Sequence, residues 1–228
     1  MYLGNVFLDL GYSLIQKTSG QGPDLHFKHQ GTDVWIEAVV PTQGEGEDAV
    51  PNFANHNRFE PLPEDEILLR FTSSIFAKHQ QHQKYLSEGV LRPSDVFIIA
   101  LNGSVIPFAD FYDGMPMYIK SVLPLGEEVV TIDPEEGRVI DNRHLYRGTI
   151  TKRSGSEVST RTFMDEEYSG ICGLIYSTTA SWRFPARLGE DLSFLHNPRF
   201  VGKIDRFWMG VGEVFWVEED RILGQRIG

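Results

Sequence analysis

Cysteine is almost missing from this chain. Cys172 stands alone, so no intramolecular disulfide framework can form, and a cytosolic setting is expected. No apolar run approaches the roughly 18 residues of a membrane span. The amino terminus has no basic segment leading into an apolar stretch and a small-residue cleavage site, so no secretory signal is expected. Positive charge is also scarce: 21 Lys and Arg face 32 Asp and Glu, a formal net charge of -11. That balance excludes a simple basic coat for nucleic acid, which binds by neutralising phosphates. A local basic patch on an acidic enzyme stays compatible with it. The chain lacks a phosphate-binding glycine loop with its lysine, a dinucleotide fingerprint and a nucleophile elbow.

What is present is apolar enough to fold. Of 228 residues, 41% are hydrophobic and 12% aromatic, and no internal repeat is visible, so a single domain over 1–228 is expected. Residues 3–16 are rich in apolar residues, and their first part reads as the tail of a helix packed on a sheet, with Gly11 near its C-cap. A loop at 18–23 precedes an alternating strand, Asp24 to Lys28. The turn Gln30-Gly31-Thr32-Asp33 leads to a largely apolar strand, Val34 to Val40, which Pro41 ends. Residues 42–63 form a long loop. Glu64 to Glu88 is the clearest helix: Pro63 suits its start, Glu64, Asp65 and Glu66 suit its positive end, and Gly89 stops it. Asp95 introduces a buried strand, Val96 to Leu101. Further β segments are expected at 129–132, 137–140, 144–152 and 171–177, with a loop at 190–198 and terminal strands near 207–209 and 214–217. This order suggests an α/β layer architecture.

Two carboxylates stand out. Asp24 follows Pro23, and Glu37 lies thirteen residues on, across the expected hairpin. Such a hairpin can bring both acids to one sheet edge around a divalent cation. On the helix, Arg70, Ser74, Lys78 and either Gln81 or His82 recur every three or four residues as a polar stripe. Each residue also has a plainer reading. Asp24 caps a turn, Glu37 is an exposed strand residue, and Lys78 snorkels or pairs with Glu66. Arg70 forms a structural ion pair.

Pro23-Asp24 followed by Glu37-Ala38-Val39, with this helix and strand order, resembles the PD-(D/E)xK nuclease superfamily. The resemblance covers about residues 1–101 and the strand near 171–177. It implies a restriction-endonuclease-like mixed sheet flanked by helices, with β-rich additions at 129–152 and 207–217. It further implies Asp24, Glu37 and the Ala38 backbone carbonyl as ligands of Mg2+ or Mn2+. The expected function is metal-dependent phosphodiester hydrolysis of nucleic acid, with DNA favoured. The family's lysine falls at Val39, which can neither position water nor stabilise an anion. Some branches move that base to the following helix. Lys78 is then the catalytic replacement, Arg70 a contact to substrate phosphate, and Gln81 and His82 auxiliary polar groups. A noncatalytic nucleic-acid or protein interaction module is the competing expectation.

Other groups carry less. His79 and His82 at i,i+3 lack the complement of a zinc site. His196-Asn197-Pro198 is expected to be architectural. Cys172, inside an apolar run, reads as a buried small hydrophobe. Trp208, Phe215 and Trp216 suggest core packing, packing within a homodimer included, or a base-stacking patch.

Overall fold

The computed structural model describes residues 2–17, 21–52, 61–111 and 114–228. The expected loop at 18–20 and residues 53–60 of the 42–63 loop lie outside them. Helix α1 (Tyr2–Asp9) buries Val6 and Phe7 and stops before Gly11, whose φ of +86° suits glycine. Strands β1 (Leu25–His29) and β2 (Thr32–Val39) pair antiparallel. Gln30 and Gly31 both have positive φ, +48° and +85°, as a two-residue type I′ turn requires. The turn is therefore shorter than expected, and Thr32 and Asp33 belong to β2.

Helix α2 (Glu64–Ser87) returns over the sheet to β3 (Val96–Asn102). Its end is a Schellman motif: the Gly89 N–H donates to the Leu86 carbonyl and the Val90 N–H to that of Tyr85. Gly89, at φ +68°, makes the motif possible. A short helix α3 (Met117–Lys120) leads into a hairpin of β4 (Leu125–Ile132) and β5 (Val139–Tyr146). A smaller hairpin follows, β6 (Thr149–Thr151) with β7 (Glu157–Ser159). The main sheet resumes with β8 (Ile171–Ser177) and β9 (Ser193–His196) and closes with the hairpin of β10 (Gly212–Glu218) and β11 (Arg221–Ile227).

The result is an α/β fold built on a seven-stranded mixed sheet, ordered β1-β2-β3-β8-β9-β10-β11. β2, β3 and β8 run parallel and share one carboxyl edge. Alternation along β3 feeds two cores. Phe97, Ile99 and Leu101 join the α2 side, while Val96, Ile98 and Ala100 join the α1 side. Both faces are therefore covered, and every β3 residue except Asn102 is buried. Among the described residues, no helix is long and apolar enough to cross a membrane.

Three expectations change in the second half. The 190–198 segment contains a strand, β9, rather than only turns, because Phe194 and Leu195 each enter one core. Phe207 to Met209 form a turn, whereas the strand expected at 214–217 lies within β10, the first strand of the terminal hairpin at 212–227. The expected 144–152 strand is split at Arg147 and Gly148 between two separate hairpins.

The acidic first turn of α2 has a second role besides its dipole. Glu64 binds Lys120 at 2.9 Å and Arg147 at 3.0 Å, Asp65 binds Arg147, and Glu66 binds Arg153 at 3.1 Å. These pairs fasten the inserted hairpins to the helix start. They also mean that Glu66 is not the partner of Lys78.

Candidate functional site

The site grows from the open end of the β1–β2 hairpin. Leu25 pairs with Ile36, so Asp24 stands one position beyond the last pair, opposite Glu37. β1 has ended there, and the Asp24 carboxylate takes the place of the missing strand. Its Oδ2 accepts a hydrogen bond from the Ala38 N–H at 2.8 Å. In a strand the N–H and C=O of one residue point the same way, so the Ala38 carbonyl faces this side as well. Asp24 is exposed. Asp24 therefore caps a strand end rather than the turn of the plainer reading.

Glu37 is not an exposed strand residue. It is 7% exposed and lies beneath α2. Burial of a carboxylate demands compensation, and α2 supplies it. Lys78 Nζ donates to Glu37 Oε1 at 2.7 Å, and the Tyr85 hydroxyl donates to Oε2 at 3.4 Å. Lys78 and Tyr85 are seven residues apart, two helical turns along one face. Burial raises the Tyr85 pKa, and the negative charge of Glu37 raises it further, so the phenol stays neutral and keeps donating. Gln81 lies between them and hydrogen-bonds Tyr85, the one contact that lowers its pKa.

The expected polar stripe therefore splits. Lys78 and Gln81 belong to the Glu37 cluster. His82 does not: it is 4% exposed, stacked on Phe97 with ring centroids 4.4 Å apart. Burial, and secondarily His79, push its pKa down to about 4. His79 packs on Tyr168 in the same interior. Both histidines serve the core between α2 and the sheet. Arg70 lies two turns before Lys78, against Gly44. A Cβ at Gly44 would meet the guanidinium at 2.3 Å, and Gly44 has φ +85°. Arg70 thus packs on the 40–52 segment, and among the described residues its buried Nε has no hydrogen-bond partner.

Tyr85 is the site residue that the sequence reading missed. Its signal was the i+7 spacing from Lys78 together with Gly89, which fixes where the last turn of α2 ends.

As donors for a cation, Asp24, Glu37 and the Ala38 carbonyl are hard oxygens. They suit Mg2+ or Mn2+, which take few carboxylates and keep several waters, and do not suit zinc. Asp24 Oδ1 has no hydrogen-bond partner among the described residues. Among the described residues, no group of three or more His, Cys, Asp and Glu side chains could hold a metal ion. No family model matches the chain, and no curated protein or solved structure is significantly similar to it.

Proposed function

We propose that this edge carries out metal-dependent phosphodiester hydrolysis of nucleic acid, DNA in the first instance, on a divergent restriction-endonuclease-like core. One observation carries the reading: Lys78 Nζ lies 2.7 Å from Glu37 Oε1. The helix thereby delivers a lysine ammonium to the acid whose own strand offers only Val39. Asp24, Glu37 and the Ala38 carbonyl would hold Mg2+ or Mn2+, which supplies an activated water and charge stabilisation on phosphoryl oxygens. Lys78 places a cation beside the reacting phosphate, where negative charge develops. Tyr85 donates to Glu37 from the helix side and Gln81 bonds Tyr85 in turn, so when Lys78 turns toward substrate the bound cation would compensate the buried acid.

A noncatalytic interaction module is the second reading, and a specific fact favours it. Glu37 and Lys78 neutralise each other, and Asp24 is engaged with the Ala38 N–H. The test is cleavage of single- and double-stranded DNA and RNA with Mg2+ or Mn2+, comparing wild type with Asp24→Asn, Glu37→Gln and Lys78→Met. Metal-dependent cleavage lowered at least 100-fold in each variant is expected. Absence of wild-type cleavage over the whole panel selects the noncatalytic module.

A further inference from the structure

The carboxyl edge shared by β2, β3 and β8 carries a second feature, the segment 178–188 that leaves β8. It reads Thr-Thr-Ala-Ser-Trp-Arg-Phe-Pro-Ala-Arg-Leu, with two arginines and no acid in a chain of net charge -11. Ala180 and Arg183 exchange both backbone hydrogen bonds at 3.0 Å, so Ser181 and Trp182 form the tip of a tight turn. Trp182 is 74% exposed and Phe184 64% exposed. Phe184 sets its ring edge-on to Tyr2 of α1, with centroids 6.3 Å apart, and Trp182 and Phe184 lie two residues apart on one short turn, so they offer a local apolar surface.

The turn is held from below. Asn102, at the end of β3, donates to the Thr179 carbonyl at 2.8 Å. The Thr179 hydroxyl donates to Asp191 at 2.6 Å, and Arg183 binds Asp110 at 2.5 Å. Phe111, next to Asp110, is a third aromatic at this edge, 63% exposed. These ties give the aromatic tip a fixed place at low entropic cost to a ligand.

We propose that this turn is a stacking platform for single-stranded nucleic acid, which it feeds along the edge toward Asp24 and Glu37. The inference rests on the hydrolytic reading above and names its substrate class. Aromatic faces on a strand-tracking surface bind bases without regard to sequence, and a duplex hides those faces. β8 and β2 are separated by β3 alone. Two strand spacings, about 10 Å, separate the strand that leads into the turn from the strand that carries Glu37. Arg187 makes no ion pair among the described residues and is available to one phosphate. Arg183 is already matched by Asp110. Stacking, rather than charge, therefore dominates, which reconciles the site with an acidic chain.

The test is anisotropy of labelled single strands of about 12 nucleotides, a length within the usual range of site sizes. Oligo-dT, oligo-U and a duplex of equal length are compared in EDTA, so binding is read without turnover. Trp182→Ala and Phe184→Ala should each weaken single-strand binding roughly 5- to 150-fold, the range for one stacked base. Trp182→Phe should restore most of it. Duplex binding should be weaker and indifferent to these variants. Log affinity should fall with log salt at a slope of about -0.7, that of one phosphate contact. No single-strand binding, an unchanged Kd in both alanine variants, or equal losses on duplex would overturn the platform. Cleavage reports separately. Wild-type cleavage with Trp182-independent binding removes only the platform, whereas Trp182-dependent binding without any cleavage removes only the hydrolytic reading.

Discussion

Lys78→Met isolates the charge pair beneath α2. It removes the one ammonium that meets Glu37 among the described residues and leaves the packing of its stem in place. Removing one partner of a buried ion pair costs about 3–5 kcal/mol, because the other charge stays behind uncompensated. Here the side chains of Lys78 and Glu37 are 21% and 9% exposed. Water reaches the lysine end, so the lower limit applies, about 3 kcal/mol. Glu37→Gln is milder. It keeps an oxygen for Tyr85, and Lys78 can extend to solvent, so about 1 kcal/mol is expected. The double variant buries no charge and should also lie about 1 kcal/mol below wild type. The single effects would sum to about 4 kcal/mol, so a coupling of about 3 kcal/mol is expected. Urea unfolding reads these values as midpoint changes at constant slope. Lys78→Met within about 0.5 kcal/mol of wild type, or additive effects in the double variant, would refute the reasoning. Magnesium extends the experiment, since a ligand of the folded state stabilises by about 2.7 kcal/mol at 100 times its Kd. Without its competing ammonium, the Lys78→Met carboxylate should gain more from Mg2+ than wild type does. The double variant should gain least. Equal gains in all three would remove Glu37 from the cation's ligands.

Two further predictions concern the supporting structure. His82 titrates near 4 when folded against 6.5 in its ordinary state, so the unfolded chain takes up the proton first as pH falls. Its contribution should be complete above 6.5 and be lost between 6.5 and about 4, on the order of 3 kcal/mol, and His82→Gln should flatten that part of a stability–pH curve. An unaltered curve in the variant would assign the slope elsewhere. Asn197 is buried and donates to the Tyr168 and Ile171 carbonyls, both at 2.9 Å, while accepting from the Arg199 N–H. Asn197→Ala should cost about 3 kcal/mol in denaturant unfolding by stranding two carbonyls, and a loss below about 1 kcal/mol would contradict that role.

The first half of the fold was legible because its signals are local. Gly31 and Gly89 require positive φ, Pro63 and the acids after it start α2, and the apolar run at 96–101 is long enough only for a buried strand. The second half depends on partners distant in sequence. β9 is four residues long and is a strand because β8 and β10 pair with it on either side. No periodicity in Ser193 to His196 announces that. The site was legible to the same extent. Asp24 and Glu37 are set by one hairpin register, and Lys78 by helix phase. His82 was ambiguous because it lies one residue from Gln81, and the 100° between them places one at the carboxylate and the other on Phe97. Only the packing angle of α2 on the sheet decides between them.

That packing angle is also why a base on the helix is not equivalent to one on the strand. Val39 follows Glu37 on the same face of β2 and packs against the core on the α2 side. A lysine there would be held by the strand that holds the acid, and no rearrangement of layers could separate them. Lys78 instead meets Glu37 across the helix–sheet interface, so their 2.7 Å contact depends on how α2 is seated. Both ends of α2 are tied: Glu64, Asp65 and Glu66 to the inserted hairpins, and Tyr85 by the Schellman turn at Gly89. A shift of the helix by one residue, about 1.5 Å, would be enough to break a hydrogen bond of that length. The distant salt bridges at the start of α2 thus belong to the same mechanical unit as the carboxylate edge. Weakening them should be felt at Glu37 before it is felt in the core.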